Sequence, residues 1–411
     1  MASESESNAR HLLKASTVRA RAQIMLDMAR EGVLPNWTLD AARLPALVDY
    51  VIDTTRKAYP TLDVPFHARW RHFVVDGVDR AARFKPLAGE VIDAGTARAA
   101  FDLAIVSVLL DAGSGAVWRY ETREGPVLRR SEGLAVASLD MFEAGYFSAA
   151  ARDPMRADAR TLIELAVNDL EDGFHVSDSN PLAGLDGRAA LLNALGKAAL
   201  ARPGIFGRHD TPRPGGLFDE LARRAAGKAL AAPVILETLL EHLGSIWPSR
   251  LTLDGVALGD CWRHSSLEGE AVAPGLMPFH KLSQWLAYSL IEPMQWAGFV
   301  ITDIDGLTGL PEYRNGGLFV DMGVLTPRDP TSLAKSYEAG DEFIVEWRAL
   351  TVALLDETGK LVRQRLNMDE KALPLAKILE GGTWAAGRRI ARERRAEGTP
   401  PVTIVSDGTV F

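Results

Sequence analysis

The chain contains 411 residues, of which 47% are hydrophobic and 24% are charged, and its formal net charge is −8 at pH 7. A chain of this length and hydrophobic content buries a large core, which excludes an intrinsically disordered protein. The acidic balance argues against a protein that coats nucleic acid, because phosphate binding rewards a basic surface. The single cysteine, Cys261, excludes an internal disulfide framework and a cysteine-based zinc finger.

The sequence shows no targeting or membrane signal. Its N-terminus lacks the charged and then apolar layout of a signal peptide. The longest apolar windows, such as 104–110, are shorter than the roughly 18 to 20 residues of a membrane span. We therefore expect a soluble, cytoplasmic protein that binds neither a membrane nor nucleic acid, and the oligomeric state stays open.

Helical periodicity dominates the chain. The first helix is predicted over 8–30, with Ser7 as its N-cap and Gly32 just past its end. A second helix is indicated by apolar residues at the spacing of one buried face, namely Leu44, Leu47, Val48, Val51 and Ile52. Further helices are predicted over 97–111, 132–144, 158–171, 187–201, 216–230, 233–245 and 278–296. The segment 343–355 fits both the helical and the strand period, and we assign it to a helix.

Strand signals are sparse. The segment 117–122 alternates in polarity, and Glu124-Gly125 could turn it into a short hairpin. The β-branched tail 402–405 follows two prolines and predicts another short strand. We therefore predict a mainly α, multi-helix protein with small β additions, folded as a single domain over 1–411. The Pro- and Gly-rich segment 202–216 is the one weak break, and it reads equally well as a surface loop.

Several catalytic motifs are missing from the sequence. It contains neither the phosphate-binding GxxxxGK[ST] loop nor the GxSxG nucleophile elbow, which argues against nucleotide hydrolysis and a serine esterase. Cys261 and His264 offer two metal ligands, but no HExxH motif or second pair completes a site. We therefore expect no bound metal and no cofactor.

The densest group of polar residues with catalytic potential follows the helix predicted to end at 296. It places Asp303, Asp305 and Glu312 among apolar residues, with Tyr313 and Arg314 next in sequence. Carboxylates in partly apolar surroundings have raised pKa values and can act as an acid, as a base or as a stabiliser of an oxocarbenium ion. We therefore predict the three carboxylates as catalytic residues. The alternative is that Asp303 and Glu312 cap turns or pair with Arg314.

A second polar group is the sequence FHARWRHF, which contains His67, Arg69, Arg71 and His72. Arginine offers a rigid bidentate fork to phosphate, histidine can donate a hydrogen bond at neutral pH, and the tryptophan can stack on a planar group. We predict these four residues as substrate-binding. The pattern fits equally well an amphipathic surface element whose Trp70 is buried.

A third polar group is the sequence LEGGTWAAGRR. Its Gly-Gly-Thr precedes a helical run and exposes backbone amides at a helix start, where anions bind favourably. Arg388 follows one turn later and is predicted to bind an anionic part of the substrate. The alternative is a helix N-terminus capped by Thr383 with a basic solvated face.

These three segments, FHARWRHF, TDIDGLTGLPEYRNGG with DMGVL, and LEGGTWAAGRRIA, resemble those of the uracil-catabolism family known in fungi and bacteria as Urc/Urg proteins. With EFIVEWRAL and the terminal IVSDGTVF, the resemblance covers essentially the whole chain. The motifs are long and unusual, so the resemblance is specific. Much of that family is labelled as of unknown function, so the resemblance implies a pathway rather than a reaction.

A more distant resemblance is to the queuosine-salvage nucleoside hydrolases, helical proteins with a DNA-glycosylase-like fold, and it implies that fold here. Their Phe-Ala-Asp-Tyr-Arg segment, which holds the nucleobase, is similar to 310–314, and their upstream Asp resembles Asp303. An Asp and a Trp of their C-terminal helix fall at Glu380 and Trp384. The resemblance therefore implies that the substrate is bound by Tyr313, Arg314, Glu380 and Trp384.

The chain also departs from those hydrolases at two positions. Their water-activating Asp falls at Ala385, so either another carboxylate took over the role of base or hydrolysis of this kind is absent. Their Phe is replaced by Leu310, which suggests that no large flat base is stacked there.

The pathway implied by the family resemblance supplies the expected substrate. Uracil is converted to its ribonucleotide, the ring is opened, and a ribosylurea-type compound finally releases urea. We therefore expect an N-glycoside hydrolase that acts on a small ribosyl substrate, either ribosylurea or its 5-phosphate. In this hypothesis the 5-phosphate is bound by Arg69 or Arg71 and Arg388, and the urea group by Glu312 and Tyr313. Asp303 or Asp305 would stabilise the oxocarbenium ion and activate water.

Three alternatives stay open at this point. A uracil phosphoribosyltransferase fits the pathway and would depend on magnesium and phosphoribosyl pyrophosphate. A non-catalytic binding or regulatory protein would bind a pyrimidine metabolite without forming product. An enzyme of ring opening itself would abolish the pyrimidine absorbance.

Overall fold

The structure is a computed structural model that describes residues 4–111, 113–115, 117–209, 211–248, 251–253 and 255–405. The α-helices are α1 (Glu4–Leu12), α2 (Ala15–Glu31), α3 (Leu44–Ala58), α4 (Ala94–Leu109), α5 (Arg130–Glu143), α6 (Ala159–Glu164), α7 (Val167–Gly173), α8 (Leu185–Leu200), α9 (Pro203–Phe206), α10 (Leu217–Arg224), α11 (Ala232–Leu243), α12 (Lys281–Trp296), α13 (Tyr313–Asp321), α14 (Glu342–Leu366), α15 (Leu375–Ile378) and α16 (Trp384–Arg394). A π-helical turn, Leu379–Thr383, joins α15 to α16.

The strands are short and form two-stranded sheets within the described residues. They are β1 (Trp37–Leu39), β2 (Val74–Val75), β3 (Val78–Asp79), β4 (Tyr120–Glu121), β5 (Val127–Leu128), β6 (Ala229–Ala231), β7 (Thr252–Leu253), β8 (Val256–Ala257), β9 (Cys261–Arg263), β10 (Leu276–Pro278), β11 (Val300–Thr302), β12 (Leu325–Pro327), β13 (Ser336–Tyr337) and β14 (Thr403–Ile404). The pairs β6–β11 and β13–β14 are parallel. The pairs β1–β12, β2–β3, β4–β5, β7–β8 and β9–β10 are antiparallel.

The tertiary contacts divide the chain into two compact units, each built from separate stretches of sequence. Unit one comprises Met1–His67, Ser249–Gln284 and Asp303–Val405. Within the described residues, unit two comprises Ala68–Pro248 and Trp285–Thr302. The weak break predicted at 202–216 falls inside unit two.

In unit one, α14 is the central helix and contacts α2, α3 and α13. Its buried residues lie on all sides, which is typical of a core helix. Two glycines let neighbouring helices approach closely. A Cβ on Gly316 of α13 would lie 2.6 Å from the ring of Trp347, and a Cβ on Gly387 of α16 would lie 2.1 Å from the carbonyl oxygen of Arg314. This packing fixes the beginning of α13, where Glu312 lies.

In unit two, α4 is the most deeply buried helix. Nearly every side chain from Ala97 to Leu109 is buried, and α4 contacts α5, α8 and α10. Its buried Asp102 accepts a hydrogen bond from the backbone N–H of Ala157 at 3.0 Å and pairs with Arg213. A buried carboxylate of this kind is tolerated because its oxygens are satisfied by hydrogen-bond donors and a cation.

The structure confirms the mainly helical class and most of the predicted helices. The ambiguous segment 343–355 lies inside α14, and the predicted face of 44–52 is buried in α3. Gly32 caps α2 in the left-handed conformation, with φ 73°. The hairpin at 120–128 and the short strand at 403–404 are also present. No helix in the described part of the chain is long and apolar enough to cross a membrane.

Three predicted boundaries are wrong. The segment 8–30 forms two helices, because Lys14 has extended backbone angles between them, and Ser7 lies inside α1 rather than at a helix start. The segment 158–171 is divided at Leu165, whose ψ of 120° cannot continue a helix. The segment predicted over 216–230 ends as a helix at Arg224, because 229–231 pairs with β11 instead. Periodicity does not reveal these breaks, since apolar residues continue on both sides of each.

Candidate functional site

Glu312 is the N-cap of α13, and the backbone of that helix fixes its side chain. Its two carboxylate oxygens accept hydrogen bonds from the backbone N–H groups of Arg314 and Asn315. Burial raises the pKa of Glu312, and these backbone hydrogen bonds and the nearby charges of Lys281 and His67 oppose that rise. Glu312 is therefore a rigid carboxylate on which the charges of two basic side chains act, and its proton affinity is higher than that of an ordinary glutamate.

His67 and Glu380 form a buried pair in unit one although they lie 313 positions apart in sequence. Nδ1 of His67 lies 2.6 Å from Oε2 of Glu380, and their side chains are 6% and 11% exposed. The backbone N–H of His67 donates to the carbonyl of Ala376 at 2.9 Å, which anchors the histidine next to α15. Its ring centroid lies 5.6 Å from that of Trp384. The structure therefore brings together three of the residues predicted to bind the substrate.

The π-helical turn that carries Glu380 is pressed against α3 and the segment after it. A Cβ on Gly381 would lie 2.9 Å from Cγ1 of Val64, and a Cβ on Gly382 would lie 2.8 Å from Cγ1 of Val51. Only glycine permits this approach without displacing the neighbouring side chains, so the two glycines set the position of the Glu380 carboxylate. π-Helical turns are rare and frequently occur at functional sites.

The aromatic and basic side chains of α13 and α16 complete this part of unit one. The guanidinium carbon of Arg388 lies 4.7 Å from the ring centre of Trp384, close enough for a cation–π contact. The guanidinium of Arg314 lies 4.9 Å from the ring centre of Tyr313 and donates to the carbonyl of Gly398 at 2.8 Å. Arg314 thus holds the C-terminal segment against α13. Tyr313 itself is 36% exposed.

Asp303 and Asp305 line a different part of unit one. They face a cleft of about 530 Å³ together with charged side chains of α2 and α14, and Glu312 is not among its lining residues. Asp305 accepts hydrogen bonds from Arg363 at 2.9 Å and from the backbone N–H of Leu375 at 2.6 Å. Burial raises the pKa of Asp305, and these two contacts oppose the rise. Asp303 is exposed and has a left-handed backbone, with φ 49°.

Arg69 lies in unit two, where its side chain is wholly buried. Its guanidinium lies 3.1 Å from Oδ1 of Asp111, and its Nε donates to the hydroxyl of Ser107 at 2.6 Å. Burial lowers the pKa of Arg69, and the charge of Asp111 opposes that effect. Through these contacts with Ser107 and Asp111, Arg69 connects α4 to the turn that follows residue 68.

Arg71 and His72 also have partners inside unit two. Arg71 forms a salt bridge with Glu292 at 2.7 Å. The ring of His72 is buried 5.7 Å from that of Trp285. Trp70 is fully buried as well, as the alternative interpretation of this segment expected. The sequence FHARWRHF is therefore divided, with His67 in unit one and the following residues in unit two.

A family model described as "Protein of unknown function (DUF1688)" matches residues 11–411. The chain belongs to this family. One relative, "Protein urg3" of Schizosaccharomyces pombe, is 40% identical over 410 residues, which covers 97% of this chain and 98% of the relative. Another, "Uracil catabolism protein 4" of Lachancea kluyveri, is 37% identical over 431 residues, which covers 96% of this chain and 97% of the relative. The resemblance to the Urc/Urg proteins is thereby confirmed.

One basic residue that acts on Glu312 was not predicted from the sequence. Lys281 begins α12, and its charge acts on the Glu312 carboxylate. The sequence around it carries no motif, because a single lysine at a helix start is common and the two residues are far apart in the chain. The interaction could be found only from the tertiary structure of this DUF1688 protein.

Proposed function

We propose that the protein acts in uracil catabolism and that it hydrolyses an N-glycosidic bond, releasing urea from ribosylurea or its 5-phosphate. The pathway is suggested by the name of the Lachancea kluyveri relative and by the Urc/Urg resemblance. The observation that best supports the reaction is the carboxylate of Glu312, which is fixed at a helix N-terminus and interacts electrostatically with His67, the partner of Glu380. The DNA-glycosylase-like fold implied by the distant resemblance stays a prediction alongside this one.

We assign the stabilisation of the transition state to Glu312. Hydrolysis of an N-glycoside passes through an oxocarbenium-like transition state, in which positive charge develops on the sugar. A carboxylate in surroundings of low dielectric constant stabilises that charge more strongly than it would in water. The two backbone hydrogen bonds hold the carboxylate of Glu312 in place, so it does not need to reorganise during the reaction.

The other two predicted carboxylates are weaker candidates for this role. Both oxygens of Asp305 are occupied by Arg363 and by the backbone of Leu375, so we assign Asp305 to holding α14 and α15 together. Asp303 shares the charged cleft of Asp305 rather than the surroundings of Glu312. Replacing Asp303 by asparagine should therefore leave most of the turnover, whereas replacing Glu312 by glutamine should lower kcat by about 10²- to 10³-fold.

Fewer residues remain as candidates for binding the substrate. Arg69 and Arg71 are paired with Asp111 and Glu292, so we remove both from the proposed phosphate site. Arg388 next to Trp384 stays the candidate for the 5-phosphate of the substrate. Tyr313, which follows Glu312 and is partly exposed, stays the candidate for contact with the urea group.

The proposal is tested by incubating purified protein with ribosylurea and with its 5-phosphate and measuring released urea and reducing sugar. We expect equal amounts of both products. If Arg388 binds phosphate, R388A should raise KM for the phosphorylated compound alone.

Parallel reactions distinguish the alternatives. Consumption of uracil that requires phosphoribosyl pyrophosphate and magnesium would instead indicate a transferase. Loss of pyrimidine absorbance would indicate ring opening. Binding of a pyrimidine metabolite without any product would indicate a sensor.

A further inference from the structure

A cleft of about 470 Å³ lies within unit two, beside the end of α5. Arg80 follows β3, Arg123 lies in the turn between β4 and β5, and Asp140 lies in the last turn of α5. Apart from one alanine, all of the residues that line the cleft are charged, namely Arg80, Arg83, Arg123, Glu124, Asp140 and Glu143. A lining of this kind favours a charged or strongly polar ligand over an apolar one, because charged groups lose much more by giving up water to an apolar surface.

The position of Arg80 in the cleft is fixed by two carboxylates. Its Nη2 donates to Oδ1 of Asp140 at 3.0 Å and to Oε1 of Glu124 at 3.1 Å. The other oxygen of Asp140 accepts a hydrogen bond from the hydroxyl group of Tyr120 at 2.8 Å. The side chain of Arg80 is only 14% exposed, so it has little conformational freedom to lose when a ligand binds.

The other two arginines of the cleft are more exposed. Arg83 lies 3.4 Å from Glu143, and its side chain is 53% exposed. An exposed ion pair of this kind contributes little to stability, so a ligand can compete for the guanidinium. Arg123 is exposed as well, and within the described residues its guanidinium has no hydrogen-bond or ion-pair partner. Two guanidiniums are therefore available to an anionic group.

We propose that this cleft binds a small phosphate monoester that carries hydroxyl groups. Arginine pairs with phosphate oxygens through parallel N–H groups, and a phosphate has enough oxygens to engage several guanidiniums at once. The carboxylates of Glu124 and Asp140 can only accept hydrogen bonds, and hydroxyl groups of the ligand are suitable donors for them. The volume of the cleft lies within the range of small-molecule sites and leaves room for an organic part besides the phosphate.

The charge of Glu143 affects how strongly the cleft attracts a phosphate. Burial raises the pKa of Glu143, and the charges of the three arginines oppose that rise. When all three carboxylates are ionised, they balance the three arginines, and the carbonyl end of α5 adds partial negative charge. The affinity for phosphate therefore depends on the arginines, and removing the charge of Glu143 should increase it.

The test is isothermal titration calorimetry of the full-length protein with glycerol 3-phosphate, inorganic phosphate and glycerol. We expect glycerol 3-phosphate to bind most tightly, inorganic phosphate to bind more weakly, and glycerol not to bind. R123Q should weaken the binding of glycerol 3-phosphate by about tenfold without lowering the melting temperature, because it removes a guanidinium that has no partner in the described structure. E143Q should tighten this binding by about fivefold, which a purely structural role of Glu143 would not explain.

R160Q is the matched control, because Arg160 of α6 is exposed and does not line the cleft. It removes the same charge and should leave the affinity unchanged. Repeating the titrations with R388A removes any contribution of the proposed 5-phosphate site, and R123Q should weaken binding equally in that background.

Two results would overturn the proposal. If R123Q binds glycerol 3-phosphate as tightly as the native protein, or loses no more affinity than R160Q, the cleft does not bind phosphate. If inorganic phosphate binds as tightly as glycerol 3-phosphate, the cleft does not recognise the hydroxyl groups of a monoester. Calorimetry measures binding without turnover, so both results are independent of the proposed hydrolysis.

Discussion

The replacement E312Q distinguishes most clearly between the contribution of Glu312 to catalysis and its contribution to the stability of the fold. The amide removes the negative charge but keeps the size and shape of the side chain. Losing one electrostatic stabiliser of a transition state typically lowers kcat by about 10²- to 10³-fold, which corresponds to about 2.7–4 kcal/mol. We therefore expect kcat for urea release to fall by this factor.

Two effects of E312Q on stability oppose each other. The amide has one acceptor oxygen where the carboxylate accepts two backbone N–H groups, and a lost N-cap typically costs about 0.5–2 kcal/mol. In the other direction, the substitution removes a charge whose burial is unfavourable, as the raised pKa of Glu312 shows. The variant should therefore fold, with a free energy of unfolding within about 2 kcal/mol of the native value.

The sign of the pH dependence follows from the same raised pKa. Because folded Glu312 binds its proton more tightly than unfolded Glu312, the contribution of Glu312 to the free energy of unfolding decreases as pH rises from about 4.5 through the folded pKa. E312Q lacks this titrating group. Urea denaturation at several pH values should therefore show that the free energy of unfolding of the variant increases relative to that of the native protein over that range.

The matched control for E312Q is D93N. Asp93 also caps a helix, α4, and accepts the backbone N–H groups of Gly95 and Thr96 at 2.7 and 3.1 Å, both through Oδ1. Because asparagine is also a good N-cap, D93N should change neither turnover nor stability strongly. Glu312 does not stabilise the transition state if folded E312Q retains native turnover, or if D93N lowers kcat as much as E312Q does.

Three further predictions concern residues outside the proposed chemistry. D305N breaks the contact with Arg363 and should lower the free energy of unfolding by about 1–3 kcal/mol, measured by denaturant titration, while folded protein keeps its kcat. G382A places a Cβ against α3 and should both destabilise the protein by about 1–3 kcal/mol and reduce kcat, because the turn that carries Glu380 must move. The hydrogen bonds of Arg223 help to hold the pKa of Glu220 at about 2, so the stability that Glu220 contributes should disappear as pH falls from 4.5 to 2. The melting temperature of E220Q should accordingly approach that of the native protein as pH falls through this range. At higher pH the melting temperature of E220Q should be the lower of the two.

The sequence by itself determined the local structure and the segments of interest. The apolar spacing of 44–52 predicted the buried face of α3, because a period of 3.6 residues reflects which side of a helix is removed from water. Gly32 predicted the end of α2, because a left-handed cap strongly favours glycine. The three motifs that identified the family are also local runs of sequence, and they led to Glu312, His67 and Glu380.

Only the tertiary structure decided what each polar side chain touches. Arg69 and His67 are two positions apart in one motif, yet one binds Asp111 inside unit two and the other binds Glu380 inside unit one. Asp305 and Glu312 likewise share a motif but have different partners. Periodicity and spacing report whether a residue faces the core, but a hydrogen-bond partner is chosen by packing between segments that are distant in sequence. The roles of these side chains depend on such contacts, so they could be assigned only once the helices were placed together.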